Sequence, residues 1–278
     1  MLSSLSAGVS GLESFQQDMD VIGNNIANIN TTGFKAGTVE FADTLSNTLR
    51  GASSTSDGEQ VGTGVQLTAI DNNWNQGAIE STGVPSQLAI NGNGFFEVAD
   101  PSTPTDIFAT RDGTFSVNSA GYLVTTGGYY VQGTNNVTGT TGKLQVTTDP
   151  TKTGANAVSM ISYTIDSAGN IDVQQSDGTT YVSGQVLLTN IVDPQQLISE
   201  GNNLYSNLAA AGASALAAPG SAASGLGQIQ GSALESSNVD LSNEMANLIT
   251  AQRAFEANSK IITTSNEVLQ TLVQMKQG

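Results

Sequence analysis

Cysteine and histidine are both missing from this 278-residue chain. Their absence excludes disulfides, thiolate nucleophiles, Cys/His metal sites and any triad or general base built on histidine. Charge is scarce as well, at 12% of residues against a usual value of about 25%. What charge there is leans to one sign: 24 Asp and Glu stand against 8 Lys and Arg, for a formal net charge of −16. The cations Lys35, Arg50, Arg111, Lys143, Lys152, Arg253, Lys260 and Lys276 are scattered. Without a basic stripe, neither nucleic acid nor an anionic lipid surface has an electrostatic footprint to meet. Aromatic residues are 5%, so a core must be built mainly from Val, Ile, Leu and Ala. No apolar run approaches the roughly 20 residues that span a bilayer. The N-terminus has neither the basic n-region nor the continuous apolar h-region of a secretory signal. A soluble chain is expected, and any export would proceed without signal cleavage.

What is abundant lies at the two ends. Near the N-terminus Leu5, Leu12, Met19 and Ile26 recur every seven residues, with Gly8, Phe15, Ile22 and Ile29 three residues on. Near the C-terminus the same step joins Leu241, Leu248, Phe255, Ile262 and Leu269, and Leu272 follows three residues after the last. A neighbouring row holds Ala254, Ile261, Val268 and Met275. A seven-residue step on a helix of about 3.6 residues per turn makes a narrow apolar seam that must meet another helix. Two such seams in one chain predict an antiparallel, coiled-coil-like pair of terminal helices that also meets neighbouring copies. Asp240 is suited to cap the second helix, and Gly33 to supply a left-handed exit after the first. The run containing Asn24, Asn25 and Asn28 is unusual in a helix, because Asn competes for the local backbone. It reads either as a solvated face or as amides bonding to neighbouring subunits. Arg253 and Lys260 flank Glu256 at helical spacing, which fits either intrahelical pairing or a bridge between subunits.

Between the ends, the pattern changes to short runs of β-forming residues separated by Gly, Asn, Asp and Pro, and the fold class expected is α+β with an all-β, sandwich- or barrel-like middle. The expected division is a terminal-helix domain from residues 1–33 plus 238–278, a connector at 34–80 and a β region at 81–237, with a candidate outer subdomain at about 135–200. Within the connector, Gly51 to Gly64 reads as a loop and Val65, Leu67 and Ala69 as one face of a strand. Trp74, the only tryptophan, reads as a packing anchor. Two similar stretches, Phe115 to Leu123 and Tyr163 to Ile171, each read as a hairpin turning at Asn/Asp-Ser-Ala-Gly. Residues 209–228, rich in Ala, Gly and Ser, read as a flexible crossing.

Candidate chemistry is thin. The pairs Gly62-x-Gly64 and Gly92-x-Gly94 lack the third glycine of a dinucleotide fingerprint, and Gly139-Thr-Thr-Gly142-Lys143 fails the spacing of a phosphate loop. The Asn30 and Asn136 sequons match at chance level. Asp166 and Asp172 form a carboxylate pair of the kind that any acidic chain offers, and they read as solvated turn residues. No catalytic constellation, cofactor site or small-molecule site is expected. The other class of reading open to an acidic β-rich chain is a secreted adhesin or polysaccharide-active enzyme, but an adhesin would not need heptads at both termini and an enzyme would need a carboxylate cleft.

Several stretches carry a resemblance. Met19 to Lys35, with Asn24, Asn25, Asn28, Gly33, Phe34 and Lys35, resembles the N-terminal signature of bacterial flagellar rod and hook proteins. Ser236 to Leu241, with Asn238 and Asp240, and Ala251 to Lys260, with Gln252, Arg253 and Asn258, resemble their C-terminal signature. Ser86 to Phe96, Thr110 to Phe115 and Gly201 to Tyr205 resemble their β region. The resemblance implies that terminal helices form the inner tube of a helical homopolymer and that β domains lie outside it. It further implies export through the flagellar type III apparatus without cleavage, a place in the hook or distal basal body outside the cytoplasm, and contact with other axial proteins (rod, hook cap, hook–filament junction). The opening and closing motifs look closest to hook proteins, which would make the chain a subunit of the torque-transmitting joint. Its short length suits a distal rod protein as the alternative.

Overall fold

The computed structural model describes residues 2–50, 58–103, 105–136, 139–150, 152, 158–221 and 224–277. Residues 51–57 of the expected loop and 137–138 of the Asn136 sequon lie outside the described residues. The fold is α+β, with a helix at each end of the chain and a β-rich middle. Two compact units result: Met1–Ile29, Ala36–Asn73 and Val239–Gly278 make the first, and Asn30–Lys35 and Trp74–Asn238 the second.

The first unit holds helix α1 (Leu2–Ala27), strands β1 (Gly37–Asp43), β2 (Ser46–Arg50), β3 (Glu59–Gly62) and β4 (Val65–Asn72), and helix α2 (Leu241–Gln277). β1 pairs with β4 and β2 with β3, all antiparallel, so residues 37–50 and 59–72 run as the two arms of a hairpin. The expected loop therefore overreaches, since Glu59–Gly62 is strand; the polar alternation there forms a ladder with both faces open to water. In β4 the expected face is realised: Val65, Leu67 and Ala69 are half-buried while Gln66 and Thr68 point to solvent. The hairpin rests on α1, where the Phe15 and Phe41 rings stand 5.9 Å apart and the Val65 N–H donates to Ser10 Oγ at 3.3 Å.

The second unit is built on a twelve-stranded antiparallel sheet. Its path runs Met160–Ile165, Asn170–Gln175, Thr180–Val186, Tyr130–Asn135, Phe95–Ala99, Ile107–Thr110, Leu204–Ser206 and Ile198–Gly201. Strands from the stretch 140–186 thus share the sheet of Phe95–Ala99. Alternation along Phe95–Ala99 feeds two cores. Phe96 and Val98 join Leu88, Leu123, Ile171 and Leu188 on one side, while Phe95 joins Ala109, Ile191 and Tyr205 in the other. Trp74 packs into the second core at 5.5 Å from Phe95 and 5.2 Å from Tyr205, in edge-on geometry. Both expected hairpin turns form in the same way. Asn118 Oδ1 accepts from the Ala120 and Tyr122 amides, Asp166 Oδ1 accepts from those of Ala168 and Asn170, and Gly121 and Gly169 sit at φ +83° and +81°. The Ala/Gly/Ser stretch is not a free crossing. Ala213 and Ala217 form bridges to Ile191 and Leu188, and Ala211 is fully buried. Small side chains let this backbone lie flat against the sheet.

Gly113 fits where no other residue would, since a Cβ there would stand 1.6 Å from the Leu88 carbonyl oxygen. Gly113→Ala is expected to lower the stability of the second unit by about 3 kcal/mol or more through forced backbone displacement, read by urea unfolding followed through Trp74 fluorescence. Glu97 is buried within the sheet, and desolvation pushes its carboxyl pKa up, opposed by a hydrogen bond to Thr189. A raised folded-state pKa means that the folded state holds the proton longer, so stability is lost as pH rises through that pKa. Glu97→Gln should raise the melting temperature at neutral pH. The gain should vanish below about pH 4, where both forms are neutral; a gain independent of pH would contradict the assignment.

Candidate assembly faces

In the first unit the two terminal helices run side by side in opposite directions. Gly8 and Gly11 of α1 lie against Ile262 and Asn258 of α2, and at the other end Asp18 and Ile22 line one groove with Glu244 and Ala251. The expected seam residues of α1 are covered in whole or in part: Ile22 is buried, and Leu5, Leu12, Phe15, Met19 and Ile26 are half-buried, while Ile29, also half-buried, lies beyond the end of the helix. On α2, Leu248, Phe255, Ile262 and Leu269 are likewise half-buried, but Leu241 and Leu272 are exposed. The residues interleaved with this row are Ala251, Asn258 and Ser265, all small or polar. Glycine on one helix and small residues on the other permit a close approach. A Cβ on Gly11 would come within 2.7 Å of the Asn258 amide nitrogen.

The asparagine run divides its work within the protomer. Asn25 is buried and clamps the start of β1, donating to the Gly37 carbonyl at 2.8 Å and accepting from the Gly37 amide at 2.9 Å. Asn28 donates to the Asn24 carbonyl and side chain, both at 2.9 Å, which closes the helix end. Neither expected reading covers Asn25. The signal available was that an amide inside an amphipathic helix needs a backbone partner, here supplied by the hairpin. Asp240 caps α2 as expected, accepting from the Ser242 and Asn243 amides. Gln252 and Arg253 are exposed, and Arg253 pairs with Glu256 at 3.0 Å, the intrahelical alternative.

In the second unit, motif stretches distant in sequence meet at a buried charge. Glu235, 1% exposed, binds Lys35 at 2.6 Å and Arg111 at 3.4 Å, and it accepts from the Gly77 amide at 3.0 Å. Lys35 also donates to the Asn75 carbonyl, and the Arg111 guanidinium lies 5.0 Å from the centre of the Phe95 ring. Desolvation pushes the pKa values of Lys35 and Arg111 down, and Glu235 opposes both shifts. Around this centre the Gly33 amide donates to the Glu235 carbonyl, Asn238 donates to the carbonyls of Phe34 and Asn75, and Thr32 donates to Asp112. Gly33 takes φ +68° with Arg111 backbone 2.8 Å from where a Cβ would sit; α1 ends at Ala27, six residues earlier, so Gly33 serves a close backbone crossing and not the helix exit expected of it. Sequence reasoning singled out Lys35 and Gly33 but not Glu235. Nothing local in the sequence marks Glu235 for burial, because its partners Lys35 and Arg111 lie 200 and 124 positions away.

Glu235→Gln should lower stability by about 3–5 kcal/mol, because two cations are left buried without a counter-charge; a urea midpoint within error of the natural chain would refute this. Gly11→Leu should overpack the helix contact by about 1–3 kcal/mol. It is expected to reduce far-ultraviolet helical signal while leaving the Trp74-reported transition in place.

Three family descriptions match the chain: flagella basal body rod protein over residues 5–35, flagellar hook protein FlgE/F/G D1 domain over 89–173, and flagellar basal body rod FlgEFG protein C-terminal over 230–275. The flagellar basal-body rod protein FlgG of Bacillus subtilis is 38% identical over 284 residues, covering 100% of both chains. That of Caulobacter vibrioides is 37% identical over 283 residues, covering 99% of this chain and 100% of its own. The flagellar hook protein FlgE of Borreliella burgdorferi is 45% identical over 130 residues, covering 45% of this chain and 29% of its own. The buried node and both helix motifs fall within or beside the matched stretches, and the chain belongs to the flagellar rod and hook protein family, structural components of the flagellar axis and not enzymes.

Proposed function

We propose that the chain is a distal rod subunit of the flagellar basal body, polymerising through its terminal helices into a straight axial segment. The observation that carries this reading is coverage: rod relatives match from end to end, whereas the hook relative matches less than half of the chain. The hook reading rests on that local match and on the terminal motifs, and is kept as the alternative. On this view the terminal helices form a coiled-coil-like pair that docks onto copies of itself in an inner tube, with a sandwich-like β body outside. Asn24, Gln252 and Arg253, exposed in the protomer, would lie at or near contacts between copies. The partners are further copies, adjoining axial proteins and the type III export apparatus, and the chain would leave the cytoplasm without signal cleavage.

The first unit is held by a narrow contact with small side chains at its centre. Burial contributes roughly 1.5–3 kcal/mol per large side chain, and helices draw most of their stability from such packing. Exposed Met245, Ile249, Val268, Leu272 and Val273 on α2 leave apolar surface for assembly to cover.

Immunogold labelling of isolated basal bodies with an antibody to the second unit separates the readings. Label on the straight shaft once the rings are stripped supports the rod subunit; label on the curved segment would establish the hook instead. Folding of the terminal helices should be coupled to assembly, so helical signal per chain should rise on polymerisation. Equal helicity in monomer and polymer would refute that coupling.

A further inference from the structure

A second seam runs along α2 on the side turned away from α1. Ala257, Ile261, Thr264, Val268, Thr271 and Met275 follow each other at alternating steps of four and three, the spacing of a helix-packing stripe. All six are exposed, with Ile261 at 43%, Val268 at 47% and Met275 at 71%. Lys260 stands at the edge of this stripe, and its status among the cations is singular. Lys35 and Arg111 are buried on Glu235, Arg50 pairs with Glu59, Lys152 with Asp177 and Arg253 with Glu256, and Lys143 lies over the Tyr130 ring. The Lys276 side chain is outside the described residues. Among the described cations Lys260 alone has no acidic or aromatic partner.

The complement lies elsewhere in the same unit. A groove of about 290 Å³ opens between α1, β1 and α2, walled by Phe15, Val39 and Phe41 and edged by the carboxylates Asp18 and Glu244. Among the described residues neither carboxylate meets a cation. Desolvation pushes both pKa values up, and for Glu244 the neighbouring Asp18 and Asp240 add to it. Lys260 cannot serve its own groove. It lies sixteen residues beyond Glu244 on the same helix, about 24 Å along the axis.

Resting on the reading of this chain as a self-assembling subunit, we propose that the groove of one copy receives the outer α2 seam of the next, with Ile261 against the Phe15–Phe41 wall and Lys260 between Asp18 and Glu244. The two patches are different surfaces of one molecule, so the contact is heterologous and repeats without closing on a pair. In a chain of net charge −16, seating a cation against two acids also gives the contact a direction and a register.

The absence of cysteine makes a clean test. Cells producing, in place of the natural chain, a Thr38→Cys, Thr264→Cys double variant, which places one cysteine at the groove and one on the outer seam and keeps Asp18, Glu244 and Lys260, are treated with a short bis-maleimide, and their isolated basal bodies are resolved by denaturing electrophoresis. A ladder of covalent multimers is expected, since every copy offers one end to each neighbour. A mixture of the two single variants should give dimers only. Lys260→Glu should reduce incorporation at least tenfold, and Lys260→Glu with Asp18→Lys should recover most of it. Axial segments that assemble but show no cross-link, or that tolerate Lys260→Glu unchanged, overturn this docking and leave self-assembly standing. If the natural chain is absent from the flagellar axis altogether, both readings fall.

Discussion

One buried carboxylate ties together segments at the borders of the second unit. Glu235 lies between Lys35 and Arg111 with almost no solvent contact, and the backbone around it belongs to residues 33–35, 75–77 and 235–238. These lie at three of the four borders where the chain enters or leaves that unit, 35/36, 73/74 and 238/239. A buried ion pair is a poor source of net stability compared with apolar packing, but breaking it by removing one partner is costly. That asymmetry suits a junction. The charges specify which three segments must meet, and a wrong pairing leaves a buried charge unpaired.

The first unit uses different physics. Its helices meet across glycine and small polar residues, so close backbone approach replaces bulky interdigitation. The hairpin from β1 to β4 is fastened by the bidentate Asn25 clamp and the Phe15–Phe41 contact. Little apolar surface is buried there for a helix of the length of α2, and much is left outside. Such an arrangement leaves packing energy to be gained between copies, consistent with a family whose members build the flagellar axis.

The middle of the chain shows how period-2 patterning carries into structure. Phe95–Ala99 is buried along its whole length because both of its faces meet a core. Glu97 is the exception in chemistry, a carboxyl tolerated in the sheet at the expense of a raised pKa. The paired Asx turns at Asn118 and Asp166 reuse one local solution twice, with the side chain replacing a backbone turn acceptor and glycine taking the positive φ.

Local rules made much of this legible from residues alone: the helical ends, the Asp240 cap, the strand face at Val65, the two hairpin turns and the Trp74 anchor. Each depends on periodicity or on contacts within a few residues, which sequence encodes directly. Three features depended on tertiary structure. The hairpin through Glu59–Gly62 has polar strands whose pairing comes from register with distant residues. Asn25 sits on an apolar helix face because of a strand that begins twelve residues later. Glu235 finds Lys35 across 200 positions, and no local pattern marks an acid destined for burial. Sequence by itself determined the two terminal helices, the Val65 strand face and the Asx turns, because those choices are settled by nearest neighbours. Only the tertiary structure decided which charges are buried together and which apolar stripe of α2 stays exposed, because burial is a property of the assembled fold.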